Sequence, residues 1–368
     1  MAWFIGLMSG TSLDGVDGVL AQAAPTQSLR AVAHAHRALD AELRDTLLEL
    51  NAPGADEIHR GALAANALMR LYARVVAQLL QDAGLCAQQV RAIGAHGQTV
   101  RHRPAEFDGT GYTVQLANGA LLAELTAIDV VCDFRSRDVA AGGQGAPLVP
   151  AFHAACFSHP DEDVAVLNIG GIANLTLLPA QGTVRGFDCG PGNVLMDLWC
   201  QRQRGQPFDV DGAWAASGQL VPDLLTLWLQ EPYFASPPPK STGRDRFHAA
   251  WLDARLREAP AADVMATLAE LTATTALQAL QQHAPGTRRL LVCGGGAYNR
   301  HLMQRLAQRG GTALQVQSSA QAGIGPDQVE ALAFAWLAQR FVSHQPGNLP
   351  AVTGARGLRP LGALYPAG

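Results

Sequence analysis

The chain has 368 residues, of which 48% are hydrophobic and 16% are charged, so it can bury a large core and is long enough for two domains. This composition excludes disordered and fibrous proteins. The net charge is only −4 and there is no basic run, so the sequence lacks the positive surface that a nucleic-acid partner requires.

The basic residues are almost all arginines. Of the 27, a single one is a lysine, Lys240. The P-loop and the protein-kinase signature both need a lysine inside a fixed motif, so neither fits. A Schiff base could form only on Lys240, whose loop, residues 236–243, lacks the surroundings of an aldolase strand end. Any phosphate group must therefore be held by backbone amides, arginine and metal ions.

Cysteine usage and hydropathy indicate the cellular compartment of the protein. The six cysteines form no C-x-x-C pair and no metal-ligand spacing. The N-terminus has no positive region before its apolar residues, so we expect no cleaved signal peptide. The uncharged stretches 139–160 and 164–184 are interrupted by glycine, proline and polar residues, so neither should cross a membrane. We expect a cytoplasmic protein without a membrane partner.

In chain order, residues 3–20 predict a strand, a turn of small residues and a second strand. Apolar residues at helical spacing then predict a helix over about 60–83, ended by Gly84. The next predicted elements are strands at 90–95 and 112–116, a helix at 119–127 and a strand at 128–134. This alternation indicates an α/β fold.

The second half continues the same style. Its predicted helices cover 262–282 and 327–341. Its predicted strands cover 164–169, 174–178, 184–187, 289–293 and 314–317.

Two features divide the chain. Residues 164–178 repeat the strand, turn and strand of residues 3–20, which indicates a duplication. The glycine-rich segment 140–147 is the natural hinge between the halves. We therefore predict one domain over 1–138, completed by the tail 350–368, and a second over 139–349.

Three glycine-rich turns could bind an anion through backbone amides. The first, residues 8–17, also holds Asp14, whose carboxylate would need a metal ion or water between itself and a phosphate. The second is 167–175. The third, 293–299, precedes a helix but lacks the dinucleotide fingerprint because residue 299 is asparagine. An ordinary hairpin turn is the alternative for the first.

Polar side chains follow several predicted strands. Asp188 ends a predicted strand, and Gly190 and Gly192 keep the approach to it open, so its carboxylate would face a cleft, although aspartate also forms ordinary turns. His96, Gln98 and Arg135 also follow strands, and planar polar groups of this kind suit sugar hydroxyls. No H-E-x-x-H or G-x-S-x-G motif occurs, so hydrolase triads and protein-held metal sites are not expected.

Residues 6–17, Gly-Leu-Met-Ser-Gly-Thr-Ser-Leu-Asp-Gly-Val-Asp, resemble the opening signature of the anhydro-N-acetylmuramic acid kinases, members of the sugar kinase, heat-shock and actin superfamily. The resemblance spans the chain. Its further motifs are 95–99, 133–135, 187–193, 238–244 and 326–331.

The resemblance implies two duplicated actin-like (ribonuclease H-like) domains with an inter-domain cleft. It also implies ATP-dependent conversion of 1,6-anhydro-N-acetylmuramate to N-acetylmuramate 6-phosphate during cell-wall recycling, with Mg²⁺ carried by ATP. Water would be consumed, and Asp188 would be the general base. We expect a sugar as the small-molecule partner and a homodimer.

The same resemblance implies the binding residues. The expected sugar contacts are His96, Gln98, Arg135 and Glu330, and Asp14 is the carboxylate expected near Mg²⁺. The expected ATP contacts are Gly10, Thr11, Ser12, Leu13, Asp14, Gly15, Val16, Asp17, Gly170, Gly171, Asn174, Gly190, Gly294, Gly295, Gly296 and Asn299.

Two alternatives stay open on the sequence. An ordinary sugar kinase of this fold would use Asp188 to deprotonate a free hydroxyl, and would phosphorylate without needing the anhydro bond. A nucleotide switch would turn over ATP in response to a protein partner and would ignore sugars.

Overall fold

A computed structural model of the chain describes residues 2–10, 13–23, 29–243 and 246–368. The chain folds into two compact units, Met1–Cys156 with Asp327–Gly368, and Phe157–Pro326. No helix within the described ranges is long and apolar enough to cross a lipid bilayer.

The strands of the described residues are numbered in chain order. They are β1 (Trp3–Met8), β2 (Gly15–Ala23), β3 (Leu29–Ala38), β4 (Val90–Ala95), β5 (Gln98–Pro104), β6 (Gly111–Leu116), β7 (Val130–Cys132), β8 (Val164–Ile169), β9 (Ile172–Leu178), β10 (Arg185–Pro191), β11 (Arg289–Cys293), β12 (Gln315–Ser318) and β13 (Ala363–Tyr365).

The α-helices are numbered in the same way. They are α1 (Ala41–Glu49), α2 (Glu57–Ala83), α3 (Gly119–Thr126), α4 (Ser136–Ala140), α5 (Val149–Phe157), α6 (Val194–Arg204), α7 (Ala213–Ser217), α8 (Pro222–Leu229), α9 (Pro232–Ala235), α10 (Ala249–Asp253), α11 (Ala261–His283), α12 (Arg300–Gly310), α13 (Val329–Val342) and α14 (Pro350–Thr353).

The sheet of the first unit has the strand order β13-β7-β4-β1-β2-β3. Strands β1, β2 and β3 form an antiparallel meander. Strand β4 then runs parallel to β1, and β7 runs parallel to β4. Parallel neighbours need a crossover connection, which α2 supplies before β4 and α3 supplies before β7.

The sheet of the second unit repeats this arrangement in the order β10-β9-β8-β11-β12. Its first three strands are antiparallel, and β11 and β12 extend the sheet in parallel. In both units the first five strands of the sheet therefore lie in the order third, second, first, fourth, fifth, and β13 adds a sixth strand at the edge of the first sheet. This is the duplicated actin-like (ribonuclease H-like) α/β topology, so the predicted fold class is confirmed.

Glycines let helices lie against the first sheet at backbone distance. Gly6 of β1 and Gly94 of β4 are register partners. A Cβ atom would lie 1.8 Å from the Ala331 carbonyl oxygen at Gly6 and 2.0 Å from that of Phe334 at Gly94, so α13 needs glycine at both positions. On the opposite face of the sheet, Gly18 of β2 leaves room for a side chain of α2. A Cβ atom at Gly18 would lie 2.3 Å from a methyl group of Val75.

The compact units differ from the predicted domain boundaries at residues 139–156 and 327–349, which lie in the first unit. The buried Asp138 carboxylate accepts hydrogen bonds from Asn348 Nδ2 at 2.7 Å, Thr353 Oγ1 at 2.9 Å and the Gly145 amide at 2.8 Å. The predicted hinge 140–147 is therefore tied to the C-terminal tail inside one unit.

Most predicted elements occur within a few residues of their expected ends, but several were missed. The edge strand β3, the helix α1 and the strand β5 had no sequence prediction, and β7 is shorter than the predicted 128–134. Strand β3 is rich in alanine, histidine and arginine, and Val32 is its one residue of the β-branched, Phe, Tyr or Trp types that mark a strand.

We predict that Gly94→Ala destabilises the first unit, because the added methyl group must displace the α13 backbone at Phe334. The expected cost is about 1–3 kcal/mol, which should lower the midpoint of thermal unfolding by several degrees. Gly54→Ala is the matched control, since the nearest atom to its Cβ would be 3.7 Å away, on Arg60. Equal unfolding temperatures for the two variants would contradict this account of the packing.

Candidate active site

The first glycine-rich turn joins β1 to β2 and is fixed at both ends. The Ser9 hydroxyl, which is buried, donates to the Gly97 carbonyl oxygen at 3.0 Å, so the hydroxyl of Tyr72 donates to Ser9, also at 3.0 Å. At the other end the Leu13 amide donates to the Gly10 carbonyl oxygen at 3.2 Å, and the Leu13 side chain is buried. The predicted contacts Thr11 and Ser12 lie outside the described residues.

The remaining predicted contacts of this turn have different environments. Asp14 is exposed, whereas Gly15 and Val16 are buried in β2. The Asp17 carboxylate lies 3.1 Å from Nε2 of His34 and 3.0 Å from Nδ1 of His36. The hydrogen bond to Asp17 raises the pKa of His34 against the effect of burial, and the Asp327 carboxylate also raises it. Two imidazoles therefore hold Asp17 beside the turn.

His96 and Arg135 form a pair at the ends of β4 and β7. Arg135 donates to Nε2 of His96 from Nε at 3.2 Å and from Nη2 at 2.9 Å. Because a guanidinium can only donate, Nε2 is the acceptor and the ring proton belongs on Nδ1. Burial holds the pKa of His96 well below its usual range, and the charge of Arg135 lowers it further. The imidazole is therefore neutral near pH 7.

The other two predicted sugar contacts belong to the same unit. Burial lowers the pKa of Arg135 to about 10, and the charge of Glu330, in the first turn of α13, opposes this shift. The guanidinium therefore stays charged near pH 7, and its Nη1 donates to the Gly145 carbonyl oxygen at 2.8 Å. Gln98 is buried, and its Oε1 has no hydrogen-bond partner in the described part of the chain. This cluster offers a cation and unpaired amide oxygen to a polar ligand.

In the second unit Asp188 lies in β10, opposite Asn174 of β9. The Thr242 amide donates to Oδ2 of Asp188 at 2.9 Å. The Tyr233 hydroxyl donates to the Asp188 carbonyl oxygen at 2.9 Å, and the Asp188 amide donates to the Lys240 carbonyl oxygen at 3.1 Å. The residue is thus held through its side chain and through both backbone polar groups.

The pKa of the Asp188 carboxyl is higher than that of an exposed aspartate. Burial raises its pKa to about 6, while the Thr242 amide and the charge of Lys240 oppose that shift. A carboxylate of this kind is ionised at pH 7 and binds a proton more readily than an exposed aspartate does. Such a group can serve as a general base.

The second glycine-rich turn joins β8 to β9 and is bonded to the segment after β10. The Asn193 amide donates to the Gly170 carbonyl oxygen at 2.8 Å, and the Gly192 amide donates to that of Gly171 at 2.9 Å. A Cβ at Gly170 would have no neighbour closer than 3.7 Å, so this turn has room beside it. The β9–β10 ladder shifts register between Asp188 and Gly190, where Cys189 is the extra residue.

The third glycine-rich turn follows β11. The amide of Gly294 donates to the Pro326 carbonyl oxygen at 2.9 Å, and a Cβ at Gly294 would lie 2.4 Å from Oδ1 of Asn168. Gly295 and Gly296 open a short 3₁₀ turn. Asn299 caps α12, because its side-chain oxygen accepts from the Leu302 amide at 2.9 Å.

Metal ligands are not preassembled in the described ranges, where no group of three or more histidine, cysteine, aspartate or glutamate side chains could hold an ion. Among the predicted site residues, the first unit holds the pair of His96 with Arg135, and the second unit holds Asp188.

The sequence model of the anhydro-N-acetylmuramic acid kinases matches residues 2–367. The chain belongs to the anhydro-N-acetylmuramic acid kinase family. The resemblance found in its motifs is thereby confirmed, and the protein is a kinase.

Curated members of this family are similar over their whole length. The anhydro-N-acetylmuramic acid kinase of Variovorax paradoxus (strain S110) is 59% identical over 375 residues, which cover 99% of each chain. That of Albidiferax ferrireducens (strain ATCC BAA-621 / DSM 15236 / T118) is 55% identical over 99% of each chain. That of Bordetella petrii (strain ATCC BAA-461 / DSM 12804 / CCUG 43448) is 59% identical over 99% of this chain and 96% of the relative.

The sequence did not indicate which groups hold the site residues of this member of the anhydro-N-acetylmuramic acid kinase family. It assigned no role to Tyr233 or Thr242, which contact Asp188, or to His34 and His36, which contact Asp17. The signal for the Asp188 contacts was the family motif 238–244, which contains the only lysine.

The neutral state of His96 predicts how stability depends on pH. Because its pKa is lowered on folding, the unfolded chain binds the proton first as pH falls below about 6.5, and the folded state loses stability by up to about 1.4 kcal/mol per pH unit. His96→Gln should therefore lose less unfolding free energy between pH 7.0 and 5.5, measured by urea titration. Exposed His59→Gln is the control. Equal pH dependence in the wild type and both variants would contradict the assignment.

Proposed function

We propose that this enzyme uses ATP and water to convert 1,6-anhydro-N-acetylmuramate to N-acetylmuramate 6-phosphate in the recycling of cell-wall sugars. Membership of the anhydro-N-acetylmuramic acid kinase family supports the substrate and the phosphoryl transfer. The environment of Asp188 is the observation that carries the hydrolytic half of the reaction.

Asp188 would act as the general base that activates water. Its carboxylate is half-buried, has a pKa raised to about 6, and is oriented by the Thr242 amide at Oδ2. A base with a pKa just below the working pH is mostly ionised yet still accepts a proton in the transition state. These are the requirements for removing a proton from water beside a sugar.

The proposed reaction balances as follows. Asp188 takes one proton from water, and the water oxygen bonds to the anomeric carbon. The bond between that carbon and O6 breaks, and its electron pair stays on O6. O6 then accepts the γ-phosphoryl group, ADP is released, and Asp188 returns its proton to solvent.

ATP would be bound mainly by backbone amides. Gly10, Gly170 and Gly171 are only partly buried, and absence of a side chain leaves their amides within reach of phosphate oxygens. Lys240 donates to two backbone carbonyl oxygens, so the ammonium of the chain's single lysine is already engaged. The third turn would lie along the nucleoside. The proposed contacts are Gly10 to Asp17, Gly170, Gly171, Asn174, Gly190, Gly294, Gly295, Gly296 and Asn299.

Mg²⁺ would arrive with ATP, where it neutralises phosphate charge and supports phosphoryl transfer. The exposed Asp14 carboxylate is the group we propose to face the waters of this ion. A single carboxylate suits Mg²⁺, which is usually bound through one or two carboxylates and keeps several waters.

The sugar would contact His96, Gln98, Arg135 and Glu330. The neutral imidazole, the guanidinium and the unpaired Gln98 oxygen match the hydroxyl, amide and carboxylate groups of an amino sugar acid. Because ATP is a cytoplasmic compound, we propose that the enzyme works there. A homodimer is the assembly we propose.

We predict that Asp188→Asn lowers kcat by about 10²- to 10⁴-fold and leaves the KM for ATP nearly unchanged, because an amide keeps the shape but cannot accept the proton. In the wild type, kcat should fall as pH drops through about 6, where Asp188 becomes protonated. Exposed Asp223→Asn is the control in the same unit. Steady-state kinetics from pH 5 to 8.5 measure both effects, and a near-normal kcat for Asp188→Asn would move the base elsewhere.

A second prediction separates the hydrolytic reaction from an ordinary sugar kinase. In ¹⁸O-labelled water, early product should carry label at the anomeric carbon, while O6 keeps its original oxygen and bonds to phosphorus. Attack opposite to the departing O6 also predicts inversion at that carbon. Mass spectrometry over a short time course measures the label.

The control for this experiment is unlabelled N-acetylmuramate 6-phosphate in the same water, since free reducing sugars exchange the anomeric oxygen. Early product without label above this control would exclude water attack. Equal phosphorylation of free N-acetylmuramate would favour the ordinary kinase.

A further inference from the structure

The only lysine of the chain ties a loop to a helix beside Asp188. The Lys240 ammonium donates to the carbonyl oxygens of Tyr233 at 3.2 Å and Phe234 at 3.1 Å, both in α9. It also lies 4.8 Å from the centre of the Tyr233 ring, within range of a cation–π interaction. Lys240 thus ties the loop over residues 236–243 to α9, the short helix that directly precedes this loop.

This loop and α9 together surround the proposed base. From the loop, the Thr242 amide donates to Oδ2 of Asp188 and the Lys240 carbonyl oxygen accepts from the Asp188 amide. From α9, the Tyr233 hydroxyl donates to the Asp188 carbonyl oxygen. Lys240 therefore closes a ring of contacts through the loop, α9 and β10.

The start of α9 is itself fixed. The Glu231 carboxylate is buried and accepts from Trp251 Nε1 at 2.8 Å, Arg246 Nη1 at 3.2 Å and Arg255 Nη2 at 3.2 Å. Because Glu231 holds this end of α9, the helix is a firm support for the Lys240 ammonium.

We infer that Lys240 is a positioning residue for the reaction: by fastening the 236–243 loop to α9, it holds the Thr242 amide on the Asp188 carboxylate. This inference rests on the proposed role of Asp188 as the base. It gives the ammonium a task other than phosphate binding, which suits a group whose donors point at backbone carbonyl oxygens.

A lysine fits this task better than an arginine. One nitrogen reaches two carbonyl oxygens of adjacent residues, and an ammonium is a compact donor on a flexible stem. The donors of a planar guanidinium at the same place would be farther apart and fixed in direction. Lys240→Arg should therefore keep the charge but hold the loop less well.

The charged and titratable groups around Asp188 determine whether loss of the Lys240 ammonium raises or lowers the pKa of Asp188. Lys240 and the Thr242 amide lower the pKa of Asp188. Facing it from α9 is the Tyr233 hydroxyl, and Cys189 follows it in β10; burial raises the pKa of both, so they stay neutral near pH 7.

Two further titratable groups, Arg246 and His283, lie beyond this first set. The Arg246 guanidinium lies 5.2 Å from the Tyr233 ring centre and pairs with Glu231. At the end of α11, burial lowers the pKa of His283, and the charges of Arg185 and Lys240 lower it further. Among these groups, Lys240 is the cation that acts on Asp188 directly.

The experiment measures kcat against pH for the full-length wild type, Lys240→Met and Lys240→Arg. Loss of the ammonium and release of the Thr242 amide should both favour the protonated carboxyl, so the acid limb of Lys240→Met should move up by about one pH unit. Activity should then fall about fivefold at pH 6 and recover near pH 8, with the KM for ATP unchanged. Lys240→Arg should show a smaller shift. Arg202→Met, at a surface ion pair of the same unit, is the control.

Two results would overturn the inference. One is an acid limb of Lys240→Met at the wild-type pH. The other is an equal loss of activity at every pH, which would indicate a merely structural role. If Asp188→Asn is inactive while the Lys240 profile does not move, only this inference fails. If Asp188→Asn is active, the proposed role of Asp188 as the base fails, and this inference fails with it.

The single lysine also permits a chemical test on the native wild type. Amine acetylation of the native wild type modifies Lys240 and the N-terminal amine only, because no other lysine exists. The same treatment of Lys240→Arg reports the effect of the N-terminal amine alone. An acid limb that moves up in the acetylated wild type, but not in acetylated Lys240→Arg, supports the inference, and unmoved limbs in both, with acetylated Lys240 confirmed by mass spectrometry, contradict it.

Discussion

The close approach of α13 to the first sheet is the constraint on which the first unit's site depends. Glycine at positions 6 and 94 removes the atoms that would keep the helix away from β1 and β4. The helix can then lie with Phe334 against the His96 ring, at 4.6 Å between centroids, and with Glu330 close enough to act on Arg135. A side chain at either glycine would move these polar groups along with the helix.

Burial is the second physical theme, and it acts oppositely on acids and bases. It lowers the pKa of His96 and so keeps the imidazole neutral beside a guanidinium. It raises the pKa of Asp188 to about 6, so that the carboxylate retains some affinity for a proton. In each case a neighbouring donor or charge modifies the shift: Arg135 adds to the effect at His96, whereas the Thr242 amide opposes it at Asp188. Neither side chain would have this chemistry on an exposed loop.

The near absence of lysine limits the side chains that could bind an anion. Backbone amides of glycine-rich turns need no lysine, and they occur in equivalent positions after the first strand of each sheet, at Gly10 and at Gly170. The ammonium of the one lysine donates to carbonyl oxygens. Strand order is the same in the two units, so a single topology provides a tight turn at the same place twice.

The sequence by itself determined the α/β class, the duplication and the family, because these follow from local hydrophobic patterns and from contiguous motifs. Strands β4, β8 and β11 lie where they were predicted, since each is a short apolar segment between clear turns. Only the tertiary structure decided which distant groups meet. Thr242 reaches Asp188 across 54 positions, and Arg135 reaches His96 across 39. The place of residues 139–156 in the first unit also depended on partners far along the chain. A local pattern cannot encode such contacts, because they arise only when the sheets and helices have packed.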